Sequence, residues 1–298
     1  MINKGIYYAS FTALLWGFLS IVLKVSLGAI DPMTLTWFRF TISFAILFLY
    51  YLFFHRSKLK IIIKPPLYSI VAALFLCVNY VGYISGINLT TPSIGQIFIQ
   101  SGPILLAVFG IIFFKEKVSF RQAVGLFIVL LGLSIFYREQ ILNIAGGIKE
   151  YKIGVLLVVI GGVSWAFYGV FQKILVRSFD PMQLNLILFG LPSLLLLPFV
   201  SFGQLNELCL NDWLLLLFLG LNTLGAYGAL SYAFKYLDNN KISVIITLNP
   251  LITLVVMAIL SNKGVDWIAP EIFTPLTIVG ALGVLVGAVL TVAKKKGV

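Results

Sequence analysis

Nearly uncharged apolar runs of about twenty residues recur from one end of this chain to the other, separated by segments too short to build a soluble domain. A hydrocarbon core roughly 30 Å thick takes about 20 apolar residues at the helical rise. Cutting wherever charge, Pro or Asn clusters interrupt the runs predicts ten spans at 5–28, 34–54, 66–88, 93–114, 120–138, 153–175, 182–202, 213–236, 242–261 and 274–293. Lipid offers no hydrogen-bond partners to the backbone, so spans of this length are helices. Of 298 residues, 60% are hydrophobic and 10% charged, against about 25% charged in a soluble domain. The fold class expected is therefore an all-α integral membrane protein, and its activity belongs inside the bilayer.

A formal charge of +11 invites a nucleic-acid reading, but the basic residues form no face with interleaved polar groups. They sit in short loops, where Lys and Arg mark the cytoplasmic side. With both termini inside, the inner segments hold Lys4, Arg56, Lys58, Lys60, Lys64, Lys115, Lys117, Arg121, Arg177, Lys235, Lys241 and Lys294 to Lys296. The outer segments hold only Arg138, Lys149, Lys152 and Lys263, together with the acidic Glu207, Asp212, Asp266 and Glu271. No nucleic-acid partner is expected; the lipid bilayer is. Cys77 and Cys209 lie in apolar contexts without metal or redox spacing, and no cofactor is expected. The first run is too long for a signal-peptide core and is expected to stay as a span.

The chain repeats itself. At a shift of 149, Gly5 falls on Gly154, Trp16 on Trp165, Phe18 on Phe167, Lys24 on Lys173 and Asp31-Pro32-Met33 on Asp180-Pro181-Met182. At 147, Tyr80 falls on Tyr227 and Pro103 on Pro250; at 155, Gly125 and Gly132 fall on Gly280 and Gly287. Trp, Lys, Asp and Pro are rare here, so apolar composition does not explain the agreement. The expected organisation is two repeats of five helices, 1–140 and 150–298. An odd number of spans makes the second copy enter from the opposite side, giving inverted repeats about an axis in the membrane plane. That is a common architecture of secondary transporters, with the solute site near mid-membrane where the repeats meet.

These residues resemble the EamA-type members of the drug/metabolite transporter superfamily. The first half carries the resemblance in Leu15-Trp16-Gly17, Lys24, Asp31-Pro32, Arg39-Phe40, Thr90-Thr91-Pro92 through Gly102-Pro103, and Lys115-Glu116-Lys117 followed by Gln122 and Gly125. The similarity covers nearly the whole chain, twice. It implies a ten-helix transporter fold and a small-molecule substrate, since the family moves amino acids, nucleotides, sugars and other metabolites, often outward. The second half departs from the pattern at Ser261-Asn262-Lys263, where a glutamate is expected. The equivalent Glu116 is read as a solvated or capping group.

Polar side chains in a bilayer usually face the bundle interior or a wet cavity. Gln96 and Gln100 lie one helical turn apart, as do Asn79 and Tyr83 beside Tyr80. Asn222, Tyr227 and Tyr232, with Asn249 before Pro250, stand in the second half, and Trp16, Trp165 and Tyr168 bring aromatic walls. Together they predict an aromatic, amide-lined pocket for a small amphipathic or zwitterionic solute. Two readings stand for each amide, substrate contact or a hydrogen bond joining helices. Lys24 and Lys173 are candidates to attract a carboxylate or phosphate, or to gate with Asp31 and Asp180; their alternative is snorkelling. Arg39 carries the same ambiguity. The spacings Gly82 to Gly86 and Gly283 to Gly287 imply close helix packing.

No Asp or Glu lies mid-span, and the lone His55 is in a basic loop, so a carboxylate relay for cationic drugs has no candidate. Neither a phosphate-binding glycine loop nor paired catalytic groups occur, so an enzyme is not expected. The expected function is secondary transport of small metabolites, amino acids first, by a monomer or weak homodimer in a prokaryotic inner membrane. The alternatives are transport of phosphate- or nucleotide-bearing anions, and a non-transporting receptor or scaffold.

Overall fold

The computed structural model describes residues 2–136, 149–268 and 274–292, and these contain helices and no strand. The first half forms α1 (Ile2–Ser26), α2 (Pro32–Phe54), the one-turn α3 (Lys60–Ile63), α4 (Leu67–Leu89), α5 (Pro92–Phe98), α6 (Ser101–Phe114) and α7 (Phe120–Phe136). The second forms α8 (Lys149–Leu175), α9 (Pro181–Leu196), the short α10 (Phe202–Glu207), α11 (Leu210–Tyr236), α12 (Asn239–Ile246), α13 (Asn249–Asn262) and α14 (Pro275–Val292). Helix lies at all ten expected positions. Eight stretches among the described residues are long and apolar enough to cross a membrane, and Phe120–Gly132 in α7 is a shorter one. Arg138 and Lys294 to Lys296, which contribute to the charge asymmetry, lie outside the described residues, as does Glu271.

The helices start where the sequence supplies caps. Asp31 Oδ1 accepts the N–H groups of Met33 and Thr34 at 2.9 and 3.1 Å, and Asp180 Oδ1 accepts those of Met182 and Gln183, both at 3.0 Å. A proline follows at the first helical position in each copy, where its missing N–H costs nothing.

One expectation needs correcting. The spans at 93–114 and 242–261 are not continuous helices; each is broken, at Ile99-Gln100 and at Thr247-Leu248. The cause is proline. Pro103 has no N–H for the carbonyl of Ile99 four residues back, nor has Pro250 for that of Ile246, and each ring crowds that carbonyl. The turn tightens instead, with Gly102 N–H bonded to Ile99 O at 2.9 Å and Leu251 N–H to Leu248 O at 3.1 Å.

The halves interlock rather than sit side by side. The most extensive contacts pair α4 with α8 and α1 with α11, which the repeat exchanges, and α7 with α14, equivalent to each other. That pattern is what a two-fold relation between the halves produces. At the first of these seams a Cβ on Gly82 would meet the Leu157 carbonyl oxygen at 2.6 Å, and one on Gly161 the Asn79 oxygen at 3.0 Å. Lipid is as apolar as leucine, so such close backbone approach and interhelical hydrogen bonds hold the bundle. Outward, Leu14, Leu74, Ile112, Phe113, Leu156 and Val255 are exposed, a surface suited to acyl chains.

Candidate functional site

Residues equivalent in the repeat meet one another at the centre of the bundle. Trp16 and Trp165 touch edge to face with ring centroids 5.9 Å apart, Tyr80 and Tyr227 lie at 5.6 Å, and Phe40 and Phe189 at 6.5 Å. Repeat-mates can touch only at the axis that relates them, so these pairs trace it.

A partly open cavity lies beside this aromatic column, with about 530 Å³ of space free of protein atoms in and around it, open solvent included. Trp16, Trp165, Tyr80, Tyr83 and Tyr227 give it aromatic walls, and Asn79, Gln96, Gln100 and Asn249 give it amides. Ile99 and Ile246, at the two helix breaks, line it with Leu19 and Pro103, and Arg39 supplies its charge. All of these except Ile99 are buried. The lining, apolar and aromatic walls with a few placed polar groups, is of the kind that small-molecule sites have.

The amides are tied to the scaffold by their donors. Gln100 Nε2 reaches Asn249 Oδ1 at 3.0 Å, joining α5/α6 to α13, and Asn79 Nδ2 reaches Gly161 O at 2.9 Å. Three successive carbonyls of α1 are held by three other helices. Leu15 O accepts from Asn222 Nδ2 at 2.9 Å, Trp16 O from Gln96 Nε2 at 3.4 Å and Gly17 O from Thr253 Oγ1 at 2.7 Å. This fixes Trp16 against the axis.

Of the fourteen expected site residues, Trp16, Asn79, Tyr80, Tyr83, Gln96, Gln100, Trp165, Tyr227 and Asn249 come together in this cavity. The other five stand elsewhere. Tyr168 is buried behind the wall, 5.8 Å from Tyr227 and 6.4 Å from Trp165 between ring centroids. Asn222 serves the α1 carbonyl, and Tyr232 stacks on Tyr8 at 5.2 Å.

Lys24 and Lys173 close helix ends. Lys24 Nζ donates to the carbonyls of Ile87, Asn88 and Thr90 at 3.1, 3.4 and 2.9 Å, and Lys173 Nζ donates to those of Phe234 and Leu237. Phe234 and Leu237 are the repeat-mates of Ile87 and Thr90, so each lysine caps the C-terminus of its own half's third span. A cation there meets the negative end of the helix. Neither lysine bonds Asp31 or Asp180; the partner of Asp180 is Lys58, at 3.1 Å.

Glu116 acts as a cap across the halves. Its Oε1 and Oε2 accept the N–H groups of Asn239 and Asn240 at 2.8 and 3.1 Å, holding the N-terminus of α12. Lys115 turns the chain back with a left-handed φ of 51°, and Gly110 leaves the room, since a Cβ there would meet Glu116 Oε2 at 2.7 Å. The cavity residues not among the expected fourteen are Arg39, Leu19, Ile99, Pro103 and Ile246. For Arg39 the available signal was a charged residue one turn and a half into a span, with no acid at that depth to neutralise it.

The EamA-like transporter family model matches residues 3–138 and again 152–293. An uncharacterized transporter of Haemophilus influenzae is 32% identical over 291 residues, spanning 96% of this chain and 94% of its own. The inner membrane transporter YhbE of Escherichia coli, likewise uncharacterized, is 32% identical over 289 residues, 95% of this chain and 89% of that one. A crystal structure 20% identical in sequence superposes over 97% of this chain and 96% of its own with a TM-score of 0.71, a likeness of fold. The chain is a multi-pass membrane protein that belongs to the EamA-like transporter family.

Proposed function

We propose that this chain is a secondary transporter that carries small metabolites, amino acids and related solutes first, across the inner membrane by alternating access, with both termini in the cytoplasm. One observation carries the reading. A single cavity, lined from both repeats, lies where both discontinuous helices break and where repeat-mates touch. A solute there sits on the axis about which the halves would rock, so exchange of the two conformations exposes one site to each side in turn. The aromatic walls suit an apolar side chain and the amides suit polar ends. The phosphate-anion reading loses support, because Lys24 and Lys173, its intended cations, are engaged in capping α4 and α11.

Flux into proteoliposomes tests the proposal, using radiolabelled L-amino acids, decarboxylated amines, sugars and phosphate esters in separate counterflow assays. Saturable, protein-dependent counterflow of one or more amino acids is expected. Absence of flux for every solute would leave a receptor or scaffold, and flux of phosphate esters alone would favour the anion reading.

A further inference from the structure

Arg39 is fully buried, 1% exposed, and heads the largest side chains so buried among the described residues. Its Nε donates to Thr223 Oγ1 at 3.0 Å and its Cζ lies 4.6 Å from the Tyr80 ring centroid. Among the described residues the bond to Thr223 is the one hydrogen bond the guanidinium makes, and neither ion pair there involves it. Arginine stays protonated, and an unpaired cation at bilayer depth is costly enough to mark function.

The second repeat gives a control within the molecule. At the shift of 149 that relates α2 to α9, Leu188 takes the place of Arg39; at the shift of 147 that relates α4 to α11, Leu76 takes the place of Thr223. Both leucines are fully buried. The packing of α9 beside α4 is therefore made with leucines where α2 beside α11 has Arg39 and Thr223. The fold does not require the charge; its own second copy does without it.

The amides are complementary. Gln100 Nε2 is used by Asn249 Oδ1 and Gln96 O, and Gln96 Nε2 by Trp16 O. Gln96 Oε1 and Gln100 Oε1 are buried with no partner among the described residues. A cation without a counter-charge, its guanidinium bonded through Nε alone, and two amide oxygens without a donor thus line the same cavity. Buried polar groups left unsatisfied are uncommon and call for an explanation.

We propose that the cavity is a dipolar site for a zwitterionic solute, in which Arg39 takes the carboxylate and the side-chain oxygens of Gln96 and Gln100 take the ammonium. The proposal rests on the transport reading and narrows it to a substrate class. One guanidinium pairs a carboxylate through two parallel hydrogen bonds; a phosphate ester of charge near −2 finds no second cation in the lining.

The test compares wild type, Arg39→Leu and Arg39→Lys, assayed with the twenty L-amino acids. For each amino acid that moves, the methyl ester, without the anion, and the N-acetyl derivative, without the ammonium, are added as competitors. Leucine is the second repeat's own residue, so Arg39→Leu is expected to fold, as checked by gel filtration and melting in detergent. Wild type is expected to move at least one amino acid, with ester and N-acetyl derivative competing at least about tenfold more weakly. Arg39→Leu should lose 10- to 100-fold in flux, on the order expected for a hydrogen bond to a charged group, and discriminate less against the ester. Arg39→Lys should retain part of the activity. Full flux in folded Arg39→Leu, or an ester that competes as well as the acid in wild type, overturns the proposal; the ester comparison decides alone if the leucine variant does not fold. Flux of amines, sugars or phosphate esters without any amino acid leaves transport standing and removes the dipolar site. No flux of any solute removes both.

Discussion

Trp16 and Trp165 occupy the same position of the repeat, 149 residues apart, and their rings touch at 5.9 Å. This contact places the pseudo-two-fold axis through the cavity wall. The cavity is nonetheless unequal in character. Asn79, Tyr83, Gln96 and Arg39 of the first half correspond to Ala226, Leu230, Ser243 and Leu188 of the second. The backbone keeps the symmetry and the side chains break it; in the proposed mechanism the first would serve conformational exchange and the second recognition.

The lysine caps predict a stability effect without a selectivity effect. Lys24→Met and Lys173→Met should each cost about 1–2 kcal/mol by exposing carbonyls at a helix C-terminus. The two sites are distant and share no partner, so the costs should add. Melting of both single variants and the double variant in detergent checks this. Unchanged melting combined with lost flux would return the lysines to the pore.

Glu116 predicts a local effect at one helix start. Glu116→Gln keeps the shape but removes the charge that faces two N–H groups and the positive end of α12, at a cost of about 1 kcal/mol. Amide hydrogen exchange should accelerate at Asn239 and Asn240 first. Acceleration spread evenly over the bundle would contradict a local clamp.

Much of this was legible in the sequence. Hydropathy located all ten spans, and the repeat identified the residues that meet at the axis, because Trp, Tyr, Asp and Pro are rare enough here to keep their register. The helix breaks escaped because a hydropathy pattern has no term for the carbonyl that Pro103 or Pro250 strands four residues earlier. The lysines looked like pore cations because sequence spacing gives a face but not a length; their stems carry the charge to the carbonyls of a neighbouring helix. The isolation of Arg39 became visible only when its repeat-mate Leu188 and its partner Thr223 were seen in place.

Close packing gives a third prediction. Gly82→Leu should wedge α4 from α8, because even a Cβ would stand 2.6 Å from the Leu157 oxygen, and backbone cannot yield cheaply. Loss of monodisperse protein is expected, whereas Gly203→Ala, with nothing within 4 Å of the added carbon, should behave as wild type. A folded, stable Gly82→Leu variant would contradict the seam.

Asp180 gives a pH dependence. Burial alone would raise its carboxyl, but the Gln183 N–H, Lys58 and the Met182 N–H together outweigh it and hold the carboxyl below the usual carboxylate range. The folded chain thus binds this proton less readily than the unfolded chain. The stabilisation is present above about pH 4 and is lost as pH falls through the lowered value. Asp180→Asn keeps a good N-cap and drops the ion pair to Lys58, so its melting temperature should fall less steeply than that of wild type below that pH. Parallel curves would count against the assignment.

The central claim is that one cavity serves both sides of the membrane, and the repeat-mates Ile99 and Ile246, which line it at the two helix breaks, test it most directly. Single cysteines are placed at either position after Cys77→Ser and Cys209→Ser remove the native thiols. An impermeant maleimide is then applied to inside-out and right-side-out vesicles. The account predicts that each cysteine reacts from both sides and that a transported amino acid slows the reaction from both. Labelling of either cysteine from one side only, whatever the conditions, would contradict it.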